Sequence, residues 1–325
     1  MSITATTALD ELRIGVLCGG RSPERPGSLA SGEAAVKGCA DAGLTVELID
    51  ITDTPPQALA GRIDLALLAT HGLYGEDGKL QGALEWLNIP YTGSGVLASA
   101  IGMDKRRFKA MLFHAHIDTP SYIEILPRWS REMATSSVQH SLGWPVFVKP
   151  ASGGGSLGAG PAWDNHDFDR LFGQVISPAH EYGTFIAEEL IHGNPVTVGV
   201  LEVDGAPMTL PPLECETDRP FYDYEAKHDV SLRREFCPAR LTDAQLSRIT
   251  ATALQVHRLI GAHGVSRVDF MVAPNGRQAV LEVNTVPGLS AHGNLATMAG
   301  AAGISYPELM RHLARTALTK PVYVP

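Results

Sequence analysis

Glu282 and Asn284 stand two residues apart in the stretch LEVNTVPG, residues 281–288. On a strand, side chains alternate faces with period two, so these two oxygen-bearing groups point the same way while Val283 points into apolar surroundings. Pro287-Gly288 punctuates the end of that strand. Upstream, RVDFM places Arg267 and Asp269 on one face of another strand. Asn275-Gly276, inside APNGR, reads as a hairpin tip, and folding that hairpin brings Asp269 beside Glu282 and Asn284. Hard oxygen ligands of this kind suit Mg²⁺, which is held by one or two carboxylates plus substrate phosphates. A solvated hairpin carrying surface carboxylates explains the same residues, and this segment alone leaves the two readings level.

A second stretch, KPASGGGSLG, begins at Lys149 on a strand and runs into glycines that let backbone N–H groups approach phosphate oxygens. Lys149 supplies a point charge. The lysine precedes the glycines, so this is not a Walker A loop, and taken alone a Gly-rich surface loop is the better reading. Together the pieces say more. A strand lysine, a Gly-rich loop and a distant Asp/Glu/Asn cluster make a nucleoside triphosphate site with Mg²⁺, because phosphoryl transfer needs positioning and charge neutralisation. Arg267, on the face of the oxygen ligands, suits an anionic intermediate; a surface salt bridge is its plain alternative.

The elements that must position these groups are legible in outline. RIGVLCGG reads as a buried strand entering a Gly-rich turn, followed by a helix from Ser28 that stops near Gly43. TVELIDI and DLALLATHG are further strands, and strands alternating with helices imply a parallel sheet. Ligands of such sheets sit at the carboxyl ends of strands, where GGRSPER and HGLYGEDG lie. LQGALEWLNI is an amphipathic helix. A helix covers roughly 104–115, WPVFVKP and FIAEEL are strands, VTVGVLEV is another, and residues 216–236 form a polar loop. Helices follow over 242–261 and 306–317.

The chain has 325 residues, 44% hydrophobic and 19% charged, with a net charge of -9, which fits a soluble multidomain enzyme and excludes a nucleic-acid footprint. Its four cysteines form no CxxC pair and read as reduced thiols. No secretory signal or run of eighteen apolar residues is seen, so a cytoplasmic protein with no membrane partner is expected.

Taken in order, GGRSPERPGSLASG, HGLYGEDGKLQGALEWLNIPYTGSG, MDKRRFK, VKPAS, FYDYEAK, FCPA, RVDFM and EVNTVPG make the chain resemble the D-alanine–D-alanine ligase family of the ATP-grasp superfamily, from about 13 to 317. The resemblance implies an α/β (partly α+β) chain of three ATP-grasp domains: an N-terminal parallel-sheet domain over 1–94, a central subdomain over 95–188 and a metal-binding domain over 189–325. It implies ATP as a substrate, Mg²⁺ as two ions with Mn²⁺ an alternative, small amino acids as partners, and a homodimer. Asp269, Glu282 and Asn284 match the metal ligands. Arg267 and the backbone N–H of Gly288 match groups that stabilise a tetrahedral intermediate. Lys105, Lys149 and Lys227 match phosphate-contacting lysines, with Ser156 in the phosphate loop. Glu188 and Glu189 fall where the adenine-binding linker belongs. Glu24 matches the acid that binds the first substrate's ammonium, and His71 a substrate-pocket histidine. FYDYEAKHD matches the lid.

The departures from the family cluster at the substrates. His228 follows EAK in place of tyrosine, and Gly155 aligns with the serine that links that tyrosine to Glu24. Pro26-Gly27 replaces bulkier residues beside the first substrate. LSAHGNL replaces the serine-containing segment for the second substrate's carboxylate, with Asn294 the candidate for the lost role. Pro195 aligns with an acid near the ATP ribose. Three functions follow: D-alanine–D-alanine ligation, a related ligation of another amino acid or a hydroxy acid in specialised metabolism, and a non-catalytic nucleotide-binding protein.

Overall fold

The computed structural model describes residues 8–155, 158–175, 183–219 and 230–321. Ile14, Val16, Leu17 and Cys18 have nowhere polar to point, and β1 (Ile14–Cys18) is buried along its whole length at the centre of a parallel sheet. β2 (Val46–Asp50) and β3 (Leu65–Leu68) flank it, with Ile14 opposite both Val46 and Leu65. Between β1 and β2 runs α1 (Arg25–Asp41). It starts three residues before the expected Ser28. Proline is tolerated in the first turn of a helix, where its missing N–H costs nothing, so Pro26 does not delay the start. Gly43, at φ +76, closes it as expected.

α2 (Lys79–Trp86), α3 (Val96–Met103) and α4 (Lys105–His114) follow. The sequence reading missed α3. Its apolar, glycine-containing run VLASAIGM has no polar face to advertise a helix. Asp104 separates α3 from α4, and its carboxylate accepts from the backbone N–H groups of Arg106 and Arg107.

A four-stranded antiparallel sheet comes next, in the order β4 (Tyr122–Ile125), β7 (Phe185–Glu189), β5 (Val146–Pro150), β6 (Gly160–Ala162). α5 (Arg131–Ser141) and α6 (Asn165–Val175) accompany it. A six-stranded sheet is built on β8 (Asn194–Val203), in the order β11 (Arg234–Phe236), β10 (Leu213–Glu216), β8, β12 (Val265–Val272), β13 (Gln278–Asn284), with β9 (Ala206–Thr209) also on β8. β11 lies inside the segment read as a polar loop. Three residues with two charges carry too little pattern to mark a strand. α7 (Asp243–Leu259), α8 (Asn294–Ala301) and α9 (Tyr306–Thr319) complete the chain. The parallel sheet and the two antiparallel ones together give the mixed α/β architecture expected. Among the described residues no helix is long and apolar enough to cross a membrane.

α1 is pressed between β1 and α9, and two glycines make this possible. A Cβ on Gly32 would stand 2.6 Å from Cys18 Cβ, and one on Gly38 would stand 2.5 Å from the Tyr306 ring. The residue at the α1 N-cap is Glu24, so the seating of the helix sets where that carboxylate lies. Gly32→Ala is expected to cost about 1–3 kcal/mol through overpacking, read as a lowered urea midpoint with unchanged slope. A midpoint equal to wild type would show that the helix–strand approach is looser than described.

Candidate active site

The β12–β13 hairpin forms as the sequence suggests. Gly276, at φ +83, sits in its turn, and Asn275 Oδ1 accepts from the Arg277 N–H at 3.0 Å. Register puts Asp269 opposite Glu282 and Arg267 opposite Asn284. Period two then places all four on one face, while Val268 and Val283 turn into the apolar core behind. The Arg267 guanidinium donates to both Asp269 oxygens at 2.9 Å. Thr197 on β8, opposite Asp269, adds a hydroxyl bond to Oδ1 at 2.6 Å. Asn284 Oδ1 accepts from the Val286 N–H at 2.9 Å and so shapes the turn after β13. Lys105, at the start of α4, brings its ammonium to 3.4 Å from Glu282 and donates to the Gly153 carbonyl at 2.7 Å.

These groups line a cavity of about 570 Å³ lying between the two antiparallel sheets and the start of α1. Two carboxylates and an amide oxygen offer the hard donors Mg²⁺ takes. Each carboxylate oxygen has two lone-pair sites, so Asp269 can serve Arg267 and an ion together. The residues fit the metal.

Lys149, on β5, points into the same cavity and is held from behind. Its ammonium pairs with Glu188 at 2.6 Å, and Lys109 approaches the other oxygen of Glu188 at 3.0 Å. Burial opposes ionisation of Glu188, but the two ammonium groups outweigh it, and its carboxyl lies below the usual glutamate range. Burial pushes the Lys109 ammonium down to about 8, against the pull of Glu188. Lys109 completes its shell on Thr119 Oγ1 at 2.7 Å and the Pro120 carbonyl. Glu188 and Glu189 therefore end β7 and do not line the cavity. Glu188 backs Lys149, and Glu189 pairs with Arg277 at 2.6 Å.

At the opposite end Glu24 leaves the α1 N-cap and lies between two glycines. A Cβ on Gly72 would fall 2.5 Å from its carboxylate, and one on Gly154 would fall 2.8 Å from both oxygens. His71 Nε2 is 3.0 Å from Ser31 Oγ, and the Leu289 N–H donates to that hydroxyl at 3.4 Å. Gly288 borders both, so α1, the loop after β3 and the turn after β13 meet here. Asn294 is the first residue of α8, beside Ser290 and His292 on the wall. Gly155 also lines the cavity, at φ +64, and Pro195 lines it from β8. Ser156, Lys227, His228 and the proposed lid lie outside the described residues.

Several residues in the cavity wall or behind it escaped the sequence reading. Glu76 is 8% exposed; its Oε1 accepts from the Gly72 N–H at 3.1 Å, and its Oε2 has no hydrogen-bond partner among the described residues. Burial, and then the negative charge of Glu24, push its carboxyl well above the usual glutamate range. Its place five residues after His71 was the available signal. Lys109 could have been found as the i+4 neighbour of Lys105 on one helix face. Arg233 had no signal, because RREF reads as a charged surface. A separate acidic group, Asp164, His166 and Asp167, is clustered on the exposed start of α6 and lies away from the cavity.

The chain matches the family description "D-ala D-ala ligase C-terminus" over residues 111–315 and "D-ala D-ala ligase N-terminus" over 53–94. A D-alanine–D-alanine ligase of Anaeromyxobacter sp. is 39% identical over 313 residues, covering 95% of this chain and 97% of that protein. The crystal structure of a D-alanine–D-alanine ligase from Bacillus anthracis complexed with ATP superposes with a TM-score of 0.79 at 32% identity, over 95% of this chain and 98% of that one. A D-Ala:D-Ser ligase from Enterococcus faecalis gives the same TM-score at 26% identity, over 94% and 99%.

Glu76 makes stability depend on pH in a stated direction. Its folded carboxyl holds a proton above the range where the unfolded one loses it, so the native state binds more protons and stability falls as pH rises through that window. Glu76→Gln removes the loss. The variant is expected to melt above wild type at about pH 8 and to approach it near pH 5, close to the ordinary glutamate range. The same offset at both pH values would mean that Glu76 is not held neutral.

Proposed function

The chain belongs to the D-alanine–D-alanine ligase family, and we infer that it joins two D-alanines with ATP through an acyl phosphate. The observation that carries the reading is the convergence on one cavity of an acid, Glu24, with Lys105, Lys149, Arg267 and the Asp269–Glu282–Asn284 oxygens. In this reading Glu24 binds the ammonium of the first D-alanine, with its carboxylate toward Lys105 and Lys149. That carboxylate attacks the γ-phosphorus and releases ADP. The amine of the second D-alanine then attacks the acyl carbon, and phosphate departs. Phosphorylation turns a poor leaving oxygen into a good one.

Arg267 and the Gly288 N–H stabilise the oxyanion, which puts preorganised donors where charge develops. Asp269, Glu282 and Asn284 would hold Mg²⁺, as one or two ions, and the ion supplies neutralisation of phosphate charge. Lys227, Ser156 and the lid residue His228 are proposed to complete the phosphate and substrate contacts, and Asn294 to meet the second carboxylate. His71 orders the wall through Ser31. The cavity must also exclude water so that the amine wins. The three sheets support a division of the chain near 94 and 188. A cytoplasmic homodimer completes the proposal.

A second reading, ligation of a different amino acid or a hydroxy acid, is favoured by Gly27 and Ala30. These residues leave the α1 wall beside Glu24 with little bulk.

Phosphate release from ATP and Mg²⁺, measured against D- and L-amino acids and D-hydroxy acids with product mass, tests both. Release with D-alanine alone, yielding its dipeptide, is expected; release only with another acceptor would replace the substrate, and none with any would favour a non-catalytic nucleotide binder. Glu282→Gln is expected to lower release by roughly 100-fold or more while melting as wild type. Undiminished turnover in that variant would remove Glu282 from the metal site.

A further inference from the structure

Glu24 stands at the N-cap of α1, yet its carboxylate makes no capping bond to the helix. The first turn is satisfied by other means. The Ser22 carbonyl accepts from the Arg25 N–H at 3.0 Å, and the Ser22 hydroxyl accepts from the Glu24 N–H at 3.1 Å. Pro26 has no N–H to cap. The Glu24 side chain joins the cavity wall instead. A side-chain cap would have anchored the helix start; here the anchor lies elsewhere.

It is the next residue. The Arg25 guanidinium donates to Asp50 Oδ1 at 2.9 Å and to Oδ2 at 2.6 Å, a two-pronged contact with the last residue of β2. It also donates to the Thr52 hydroxyl, which accepts from the Gly20 N–H at 2.9 Å and donates to the Gly20 carbonyl at 3.1 Å. The Thr52 N–H donates to Asp50 Oδ1 at 2.9 Å. The start of α1, the loop after β1 and the loop after β2 thus close on one guanidinium. Gly19, at φ +79, makes room for it: a Cβ there would fall 2.1 Å from Asp50 Oδ1 and 2.6 Å from Arg25 Nη1. α1 has no acid in its first turn, and a cation at a helix N-terminus opposes the macrodipole. Arg25 therefore needs an acid from outside the helix, and Asp50 supplies it. The hydrogen bonds from Arg25 hold the Asp50 carboxyl well below the usual carboxylate range. Arg25, Asp50 and Thr52 all lie outside the cavity lining. One turn on, the Ser28 hydroxyl accepts from the Gly19 N–H at 2.8 Å and donates to the Ala69 carbonyl at 2.7 Å. The body of α1 thus keeps its own tie to the end of β3.

We propose that Arg25 is a positioning residue for the first-substrate subsite: by clamping the start of α1 to Asp50 and Thr52 from outside the cavity, it fixes the direction from which Glu24 enters. The proposal rests on the ligase reading for what Glu24 binds. Loss of the guanidinium loosens the first turn while Ser28 keeps the helix in place, so the effect falls on Glu24 and spares the lysines and the oxygen cluster on other elements.

The test is steady-state phosphate release by the full chain with D-alanine, fitted to separate constants for the first D-alanine, the second and ATP. The variants are Arg25→Ala, Arg25→Lys, Asp50→Asn and the double variant of Arg25→Ala with Asp50→Asn. Arg25→Ala and Asp50→Asn are each expected to raise the first D-alanine KM about tenfold, within the range for a binding group displaced from its place. The constants for the second D-alanine and ATP should stay within about twofold, as for sites that do not couple. Arg25→Lys, which keeps the charge without the fork, should recover part of the loss. The double variant should be no worse than either single one, because the two residues act as a unit. A first KM equal to wild type, a parallel rise in all three constants, or additive effects in the double variant overturns the proposal. If Arg25→Ala does not fold, Asp50→Asn carries the same criteria. Hydrogen exchange reads the clamp without turnover: amides within residues 22–28 should exchange faster in Arg25→Ala while those of β12 and β13 keep wild-type protection. A wild type that releases no phosphate, but whose 22–28 exchange quickens in Arg25→Ala, would defeat the ligase reading and leave the clamp standing; unchanged exchange there would defeat the clamp.

Discussion

Much of the site depends on one buried carboxylate. Glu188 sits between Lys149 and Lys109 and faces no solvent. From Lys109 the chain of polar contacts continues to the Thr119 hydroxyl, and Thr119 donates to the Val280 carbonyl of β13 at 2.8 Å. A charge buried in this way is tolerable only with both partners in place. Removing one would leave an uncompensated ion, which typically costs 3–5 kcal/mol. The network fixes α4 and β5 against the hairpin that carries Glu282. Lys149 and Lys105 therefore enter the cavity from a rigid base, with little side-chain freedom left to lose on binding an anion.

Charge balance across the cavity follows from the same logic. Arg267 is matched by Asp269, Lys105 by Glu282, Lys149 by Glu188 and Arg233 by Glu235. Among the described residues, each lysine and arginine that lines the cavity has an acid against it. The acids hold the side chains in place before a nucleotide arrives, which is the preorganisation that electrostatic catalysis requires. Glu24 and Glu76 lie at the other end of the cavity, with Gly72 beside both. Two carboxyls near one another there cannot both ionise cheaply, and burial assigns the proton to Glu76.

Glycine controls the approach of these groups. Gly72 and Gly154 leave the space that the Glu24 carboxylate fills, and Gly32 and Gly38 let α1 carry that carboxylate close to β1 and α9. Gly155, where the resemblance expects a serine hydroxyl, leaves the loop touching Glu24 through backbone at Gly154. The departures at Gly27 and Gly155 thus line the same cavity as Glu24, next to Pro26 in the chain.

Residue type and spacing alone determined the hairpin. Period two, Asn275-Gly276 and the oxygen ligands put Arg267, Asp269, Glu282 and Asn284 on one face, because strand geometry leaves no other arrangement. The ordered motifs also named the family and the end-to-end architecture. Only the tertiary structure showed that Glu188 supports Lys149 from outside the cavity, that Glu76 is buried beside Glu24, and that Arg233 lines the cavity. Burial and partners depend on contacts between segments far apart in the chain, such as β7 with α4 and β11 with β10. Local pattern carries no information about those distances. A charged residue in RREF and one in RVDFM look alike in the sequence, and only the packing of the strands decides which of them faces water.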